Sequence, residues 1–160
     1  MNDYVFNHKN FFNENNYQVI LQCGERYQEN YLNRSTSLIK VIPFIDDMHL
    51  AFSCSDLIVS RSGAIIISEL SNLGKPVIFI PSPNVAEDHQ TKNATYLYEI
   101  EAAELVHEDE IDYKLNSIIK KIFEDEKFKE KLSKNLKKIS NNNSTELIVD
   151  QIENYIVWKN

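Results

Sequence analysis

A chain of 160 residues, 42% hydrophobic and 26% charged, has the size and balance of one soluble globular domain rather than a disordered or fibrous polypeptide. Its net charge of -7 argues against a general affinity for nucleic acid phosphates, although backbone amides can still build a local anion site. No apolar run approaches the roughly 20 residues that span a bilayer, residues 1–10 carry no signal-peptide core, and Cys23 and Cys54 lack the spacing of a zinc site, which suits two reduced thiols of a cytoplasmic protein.

Along the chain, residues 19–21, 38–42, 57–59 and 77–80 have the length and branched apolar content of buried strands, and 103–106 is a weaker fifth. Near-continuous rather than alternating apolar character suits a parallel sheet covered on both faces. Helical patterns lie between these runs. Residues 46–52 are short and amphipathic; 65–73 lie between Gly63 and Gly74, with Gly74 where a C-cap belongs; 88–98 follow the proline-punctuated loop Pro81-Ser82-Pro83-Asn84. This alternation predicts an α/β fold, a Rossmann-like doubly wound parallel sheet. The last third reads as helices, with apolar faces at Ile118, Ile119, Ile122 and Phe123, then Phe128, Leu132, Leu136 and Ile139, then Ile148, Ile152 and Ile156. The lysine-rich stretch 127–138 reads as a solvated surface, with a polyanion-binding strip as the minor reading, and Asn141-Asn142-Asn143 as a loop before a helix capped by Ser144. No repeat or interdomain linker stands out, so 1–160 is expected to be a single domain with helices 111–160 packed on it.

Ligands of such sheets bind beyond the carboxyl ends of the strands. Those ends carry Cys23-Gly24, Pro43-Phe44-Ile45, Ser60-Arg61-Ser62-Gly63 and Pro81-Ser82-Pro83, so the unusual residues gather where the topology expects a ligand. Arg61-Ser62-Gly63-Ala64-Ile65-Ile66-Ile67-Ser68-Glu69 follows a strand and opens a helix. Small residues there let an anion approach exposed N–H groups. Ser62, Ile65 and Glu69 share one helical face, which places a carboxylate within reach of vicinal hydroxyls; a Ser-capped helix with an exposed glutamate fits the same pattern. His89 and Gln90, at the start of the next helix, offer imidazole and amide groups to a sugar, or are ordinary surface residues behind an Asp N-cap. Asp46 and Asp47 read as helix N-terminal charges, and there is no catalytic triad, P-loop or GxGxxG fingerprint.

Taken in order, Tyr17-Gln18-Val19-Ile20, Gln22-Cys23-Gly24, Pro43-Phe44-Ile45-Asp46-Asp47-Met48, Ser55 through Ala64, Ser68-Glu69-Leu70, Gly74-Lys75-Pro76, Asp88-His89-Gln90 and Asn93-Ala94 closely resemble the C-terminal half of the MurG family of peptidoglycan glycosyltransferases. The likeness is dense from Tyr17 to Val106 and loose over the C-terminal helices. It implies the donor half of a GT-B enzyme that binds UDP-N-acetylglucosamine and, when whole, transfers N-acetylglucosamine to lipid I to give lipid II, with inversion and without a metal or cofactor. It assigns the Ile45 backbone to the uracil edge, Ala64, Ile65 and Ile66 to the nucleotide beside the helix start, Glu69 to the ribose hydroxyls, and His89 and Gln90 to the sugar hydroxyls. Ser62 and Gly63 belong to that helix start, Arg61 supports the surrounding loop, and Cys23 lies near the diphosphate. Family members often carry Ser or Thr at Cys23, and a thiol is a poorer partner, so the Gly24 amide is the substitute there.

Two further departures concern the front of the chain. The opening strand and glycine-rich loop of the family, of the form GGSLGA, are not found, and neither is the acceptor half that would carry the general base, the lipid I pocket and the membrane contact. No catalytic residue is therefore expected in this chain, no activity is expected from it alone, and its membrane contact and peripheral placement at the inner face of the cell membrane would come through that other half. A doubly wound sheet without its central strand is left with two unpaired internal edges. Either Asp3-Tyr4-Val5-Phe6 substitutes as a strand, or the sheet pairs with another chain; otherwise the segment before Tyr17 is the family's first helix, the reading slightly preferred. The alternatives on function are a donor-binding subunit of a split two-chain N-acetylglucosamine transferase and a non-enzymatic UDP-sugar-binding module.

Overall fold

The computed structural model describes residues 1–83, 88–140 and 144–157. Residues 84–87 of the loop before His89 and the expected Asn141-Asn142-Asn143 loop lie outside the described residues, as do the side chains of Ser144, Ile148 and Ile156.

Two short helices open the chain, α1 (Asn2–Asn7) and α2 (Lys9–Glu14). Of the readings for residues 3–6, the helical one holds. A strand would place Asp3 on the face of Val5, whereas the helix buries Tyr4, Val5 and Phe6 together while Asp3 stays at the surface. The five strands follow at β1 (Val19–Gln22), β2 (Ile39–Ile42), β3 (Ile58–Ser60), β4 (Val77–Phe79) and β5 (Glu104–Leu105). Between them come α3 (Gln28–Tyr31), α4 (Met48–Cys54), α5 (Ala64–Leu73) and α6 (His89–Glu99), and the chain ends in α7 (Ile111–Glu124), α8 (Glu126–Lys138) and α9 (Ser144–Val157). The expected elements are present within one or two residues. The fourth helix starts later than expected because Asp47 is its N-cap and accepts from the Leu50 N–H at 2.8 Å. The fifth stops where expected, with Gly74 in the left-handed region at φ 64°. The turns of helix across residues 25–34 carry no periodic signal long enough to read in sequence.

All described strand pairs are parallel, but they form two sheets. One is β1-β2, in register Val19↔Ile39 to Gln22↔Ile42; the other is β3-β4-β5, with Ile58↔Val77 and Phe79↔Leu105. One core lies beneath both. Ile39 and Val41 of β2 and Ile78 of β4 join Val5, Phe12, Leu115, Ile119 and Ile122 from α1, α2 and α7. A second core covers the other face of the larger sheet, where Ile58, Val77 and Phe79 meet Phe52, Leu70, Ala94, Leu97 and Leu136 from α4, α5, α6 and α8. Helices thus cover both faces of the larger sheet, as its near-continuous apolar strands required, whereas β1 and β2 alternate and leave Ile20, Gln22 and Lys40 exposed on the other face. The ladder is interrupted between β1 and β3, where a groove of about 640 Å³ opens.

Candidate functional site

Parallel pairing brings the turns after β1 and β2 to one end of their sheet, and the turns after β3 and β4 to one end of theirs. The turn after β3 is held from three sides. Ser62 is fully buried, and its hydroxyl donates to the Gln90 carbonyl at 2.7 Å. Asn93 returns an amide N–H to the Ser62 carbonyl at 3.1 Å, and the Gln90 side-chain oxygen accepts from the Ser82 N–H at 2.9 Å. These bonds lock the β3–α5 turn, the end of β4 and the first turns of α6 into one unit. Ser62 is therefore not the helix cap that its position suggested; its hydroxyl is spent on α6.

Arg61 braces the same unit from outside. Its Nη1 donates to the carbonyls of Ile80 and Pro81 at 3.1 and 3.0 Å, and its fork meets Glu108, with Nη2 to Oε1 at 2.9 Å. The Arg61 hydrogen bond, joined by the Arg61 charge and the N-terminal ammonium, holds the Glu108 carboxyl below its ordinary range against a smaller burial effect. Glu108 lies in an acidic run 47 residues from Arg61, so nothing local in the sequence marks it as a partner.

With Ser62 turned inward, α5 begins at Gly63 with no side-chain cap, and its first internal bond is from the Ile67 N–H to the Gly63 carbonyl. The amides of Ala64, Ile65 and Ile66 precede that bond and carry the positive end of the helix dipole. Gly63 has an ordinary φ of -69°, and a Cβ built on it meets nothing within 4 Å, so the approach to these amides is open. Ile65 is 76% exposed, and Glu69, one turn further along the same face, is also exposed. The Glu69 carboxylate has no hydrogen-bond or ion-pair partner among the described residues. It stands five residues into the helix from Ala64, about 7.5 Å along the axis.

The other assigned residues differ in what they present. Ile45 is half-buried, and its N–H is engaged by the Gln22 side-chain oxygen at 3.2 Å, a contact that sequence reading did not anticipate. His89 is exposed and Gln90 half-buried at the start of α6. The preceding Asp88 sits in the left-handed region at φ 56° and makes no side-chain cap, unlike the ordinary Asp N-cap considered from sequence. Cys23 is buried at 4% exposure in the core, with its thiol directed to the Gly24 carbonyl at 3.6 Å. The Gly24 N–H already donates to the Pro43 carbonyl at 3.0 Å. Neither residue offers a donor to an anion here, which corrects the phosphate role expected of that pair. The β1 turn needs Gly24 for another reason: its φ of 85° with ψ of 140° lies in a region that side chains rarely enter.

Chemically, this arrangement can bind an anion at a helix start and a hydroxyl pair at a carboxylate further along it. Among the described residues, no group of three or more His, Cys, Asp or Glu side chains converges to hold a metal ion. No helix among them is long and apolar enough to cross a membrane.

The family model for the glycosyltransferase family 28 C-terminal domain matches residues 1–152. Two curated relatives are named UDP-N-acetylglucosamine--N-acetylmuramyl-(pentapeptide) pyrophosphoryl-undecaprenol N-acetylglucosamine transferase. The one from Flavobacterium psychrophilum is 45% identical over 138 residues, covering 86% of this chain and 38% of the relative. The one from Christiangramia forsetii is 39% identical over 145 residues, covering 91% of this chain and 40% of the relative. Among solved structures, Acinetobacter baumannii MurG superposes with a TM-score of 0.73 at 27% identity, over 86% of this chain and 41% of that one. The glycosyltransferase VinC, solved in complex with dTDP, shares the fold at a TM-score of 0.61 and 15% identity, over 76% of this chain and 29% of that one. The chain thus spans about two fifths of the length of the curated relatives it matches.

Proposed function

Because this chain belongs to the glycosyltransferase family 28 C-terminal domain family, we propose that it is the donor-binding part of an inverting hexosyltransferase that takes N-acetylglucosamine from UDP-N-acetylglucosamine. The acceptor in this reading is lipid I and the product lipid II; the curated relatives are named as N-acetylglucosamine transferases of UDP-N-acetylglucosamine and an N-acetylmuramyl-(pentapeptide) pyrophosphoryl-undecaprenol. The observation that carries the reading is the start of α5: uncapped amides, an open approach over Gly63, and an exposed unpartnered carboxylate at Glu69 on the same helix.

In this assignment the diphosphate lies against the amides of Ala64, Ile65 and Ile66, which meet the charge that grows on the leaving group. Glu69 accepts from both ribose hydroxyls. The Ile45 backbone faces the base; its carbonyl is the direct acceptor, and its N–H becomes a donor once the Gln22 amide swings away. Gln90 keeps its oxygen on Ser82 and offers its NH₂ to the sugar, beside His89. Arg61 and Ser62 are positioning residues that hold the turn. The general base and acceptor pocket belong to polypeptide outside this chain, and so does the contact with the inner face of the membrane.

Titration calorimetry with UDP and UDP-N-acetylglucosamine tests the reading. Binding of both, lost in Glu69→Ala, is expected. An absence of heat with either ligand, in a sample shown to be folded, would leave the fold alone standing. A lipid I analogue supplied with the donor is expected to give no turnover with this chain by itself.

A further inference from the structure

The lysine-rich helix α8 takes no part in the donor site, yet its charge is organised. It carries six lysines and two glutamates, a net +4 in a chain whose net charge is -7. Lys127, Lys131, Lys134 and Lys138 recur at spacings of four, three and four residues, so they fall within an arc of about 60° and form one row about 17 Å long. Leu132 and Leu136, at 1% and 0% exposure, face away from the row and anchor α8 in the two cores. Asn135 fastens the helix further by donating to the carbonyls of Ile100 and Glu101 at 3.3 and 3.1 Å. The row therefore rides on a fixed helix, and all four of its lysines are exposed.

Its charge is only partly neutralised. Lys131 meets Glu101 at 2.5 Å, and Lys134 meets Glu130 at 2.6 Å. Lys138 donates to the neutral Asn135 Oδ1 at 3.0 Å, and Lys127 has no hydrogen-bond or ion-pair partner among the described residues. Two uncompensated charges thus stand at the ends of the row, with two paired ones between them. An open depression of about 600 Å³ beside the row is lined by lysines, Glu130 and Asn135. No arginine and no aromatic side chain lines it, so it lacks the forked donors that grip a phosphodiester and the rings that stack a base. Ammonium groups in a straight row on a convex helix suit a plane of negative charge instead. Clusters of four or more lysines on one amphipathic helix are attracted to anionic headgroups in this way. The acidic remainder of the chain does not cancel the attraction, because charges more than about 10 Å from the contact are largely screened at ordinary ionic strength.

The row is also remote from the donor site. The ten residues of α5 run from the amides at Ala64 to Gly74, about 15 Å away. There the Lys137 stem lies within 3.2 Å of a Cβ built on Gly74, so α8 sits at the far end of α5 from the nucleotide.

We infer that the α8 row is a docking surface for the headgroups of an anionic bilayer, a contact carried by this chain itself and additional to that of the polypeptide outside it. The choice of a bilayer as the anion rests on the proposed function, in which the acceptor is lipid-linked. Docking is electrostatic and shallow, each uncompensated ammonium strengthening it about fivefold. Nucleotide and bilayer are held at once, because they meet opposite ends of α5.

The test is co-sedimentation of the full chain with vesicles of phosphatidylglycerol and phosphatidylcholine in equal parts, and with vesicles of phosphatidylcholine alone. At about 0.05 M salt the chain should bind the first and not the second, and raising the salt to about 0.5 M should release it. Lys127→Gln combined with Lys138→Gln is expected to weaken binding about 25-fold, whereas Glu130→Gln, which frees Lys134, is expected to strengthen it about fivefold. Lys9→Gln combined with Lys40→Gln removes two exposed lysines elsewhere and should bind as wild type does. All the substituted residues are exposed, and an unchanged urea midpoint checks that each variant is folded. No preference for the anionic vesicles, equal losses in the two lysine pairs, or weaker binding by Glu130→Gln overturns the inference. Tighter binding to a duplex oligonucleotide at equal phosphate concentration also overturns it, and would assign the row to nucleic acid. Titrating UDP with and without vesicles separates the two conclusions. Vesicle binding without UDP binding sinks the proposed function and leaves the docking surface standing; UDP binding without vesicle binding does the reverse.

Discussion

Replacing Arg61 with alanine is expected to destabilise the chain by about 3 kcal/mol, and most of that loss should come from carbonyls rather than from the ion pair. The Arg61 Nη1 serves two main-chain oxygens, on Ile80 and Pro81, both in buried residues. Because one nitrogen is shared, these count as roughly one charge-assisted bond, worth about 1.5–3 kcal/mol and lost together with the solvation those oxygens gave up. The Glu108 contact is bidentate, but both side chains are more than a third exposed, so it contributes about 1 kcal/mol at most. Urea unfolding at pH 7 should show the midpoint falling by about 1.5 M, taking a slope of about 2 kcal/mol/M. Glu108→Gln should cost a third of this or less. The pH dependence has a definite sign. Glu108 has a depressed folded pKa, so its contribution is present above the unfolded value of about 4.3 and fades as pH falls through the folded one. The gap between wild type and Glu108→Gln should therefore narrow below about pH 4, while the Arg61→Ala deficit largely persists. A loss under about 1 kcal/mol for Arg61→Ala, or an equal loss for Glu108→Gln, would refute the carbonyl brace.

Three further outcomes follow from the site and the sheet. Glu69→Ala should weaken UDP binding at least 30-fold, since a bidentate carboxylate–diol contact carries about 2–4 kcal/mol, with no change in the unfolding midpoint because the side chain is exposed and unpartnered. Gly63→Val should fold, at a cost of about 1 kcal/mol or less for the altered cap, because φ is ordinary and the space is empty; calorimetry should nevertheless show nucleotide binding lost to the added methyls. Glu104 on β5 has a carboxyl pKa raised by burial, which outweighs the opposing charge of Lys121. A raised carboxylate pKa means that stability falls as pH rises from the unfolded value through the folded one. Glu104→Gln should therefore be slightly more stable than wild type at pH 7 and lose that advantage near pH 4 in chemical denaturation.

The periodicity of branched apolar runs was sufficient to place five strands, the helices between them and the end of α5 at Gly74, because these are local properties of backbone and burial. Motif order along the chain was sufficient for the family, since the motifs recur in the order of the strand ends and helix starts that the parallel topology brings together. What the sequence left open was decided by partners far apart in the chain. Ser62 reads as a helix cap until α6 packs close enough for its hydroxyl to reach Gln90. Cys23 and Gly24 read as a phosphate turn until the thiol is buried and the glycine amide is committed to Pro43. Arg61 and Glu108, separated by 47 residues, become a brace only when the β3 and β5 ends meet. The interrupted sheet shows the same division. Sequence placed the strand runs, but only packing showed that one helical floor keeps the two half-sheets together, because side-chain burial beneath a sheet does not require the backbone ladder above it to be continuous.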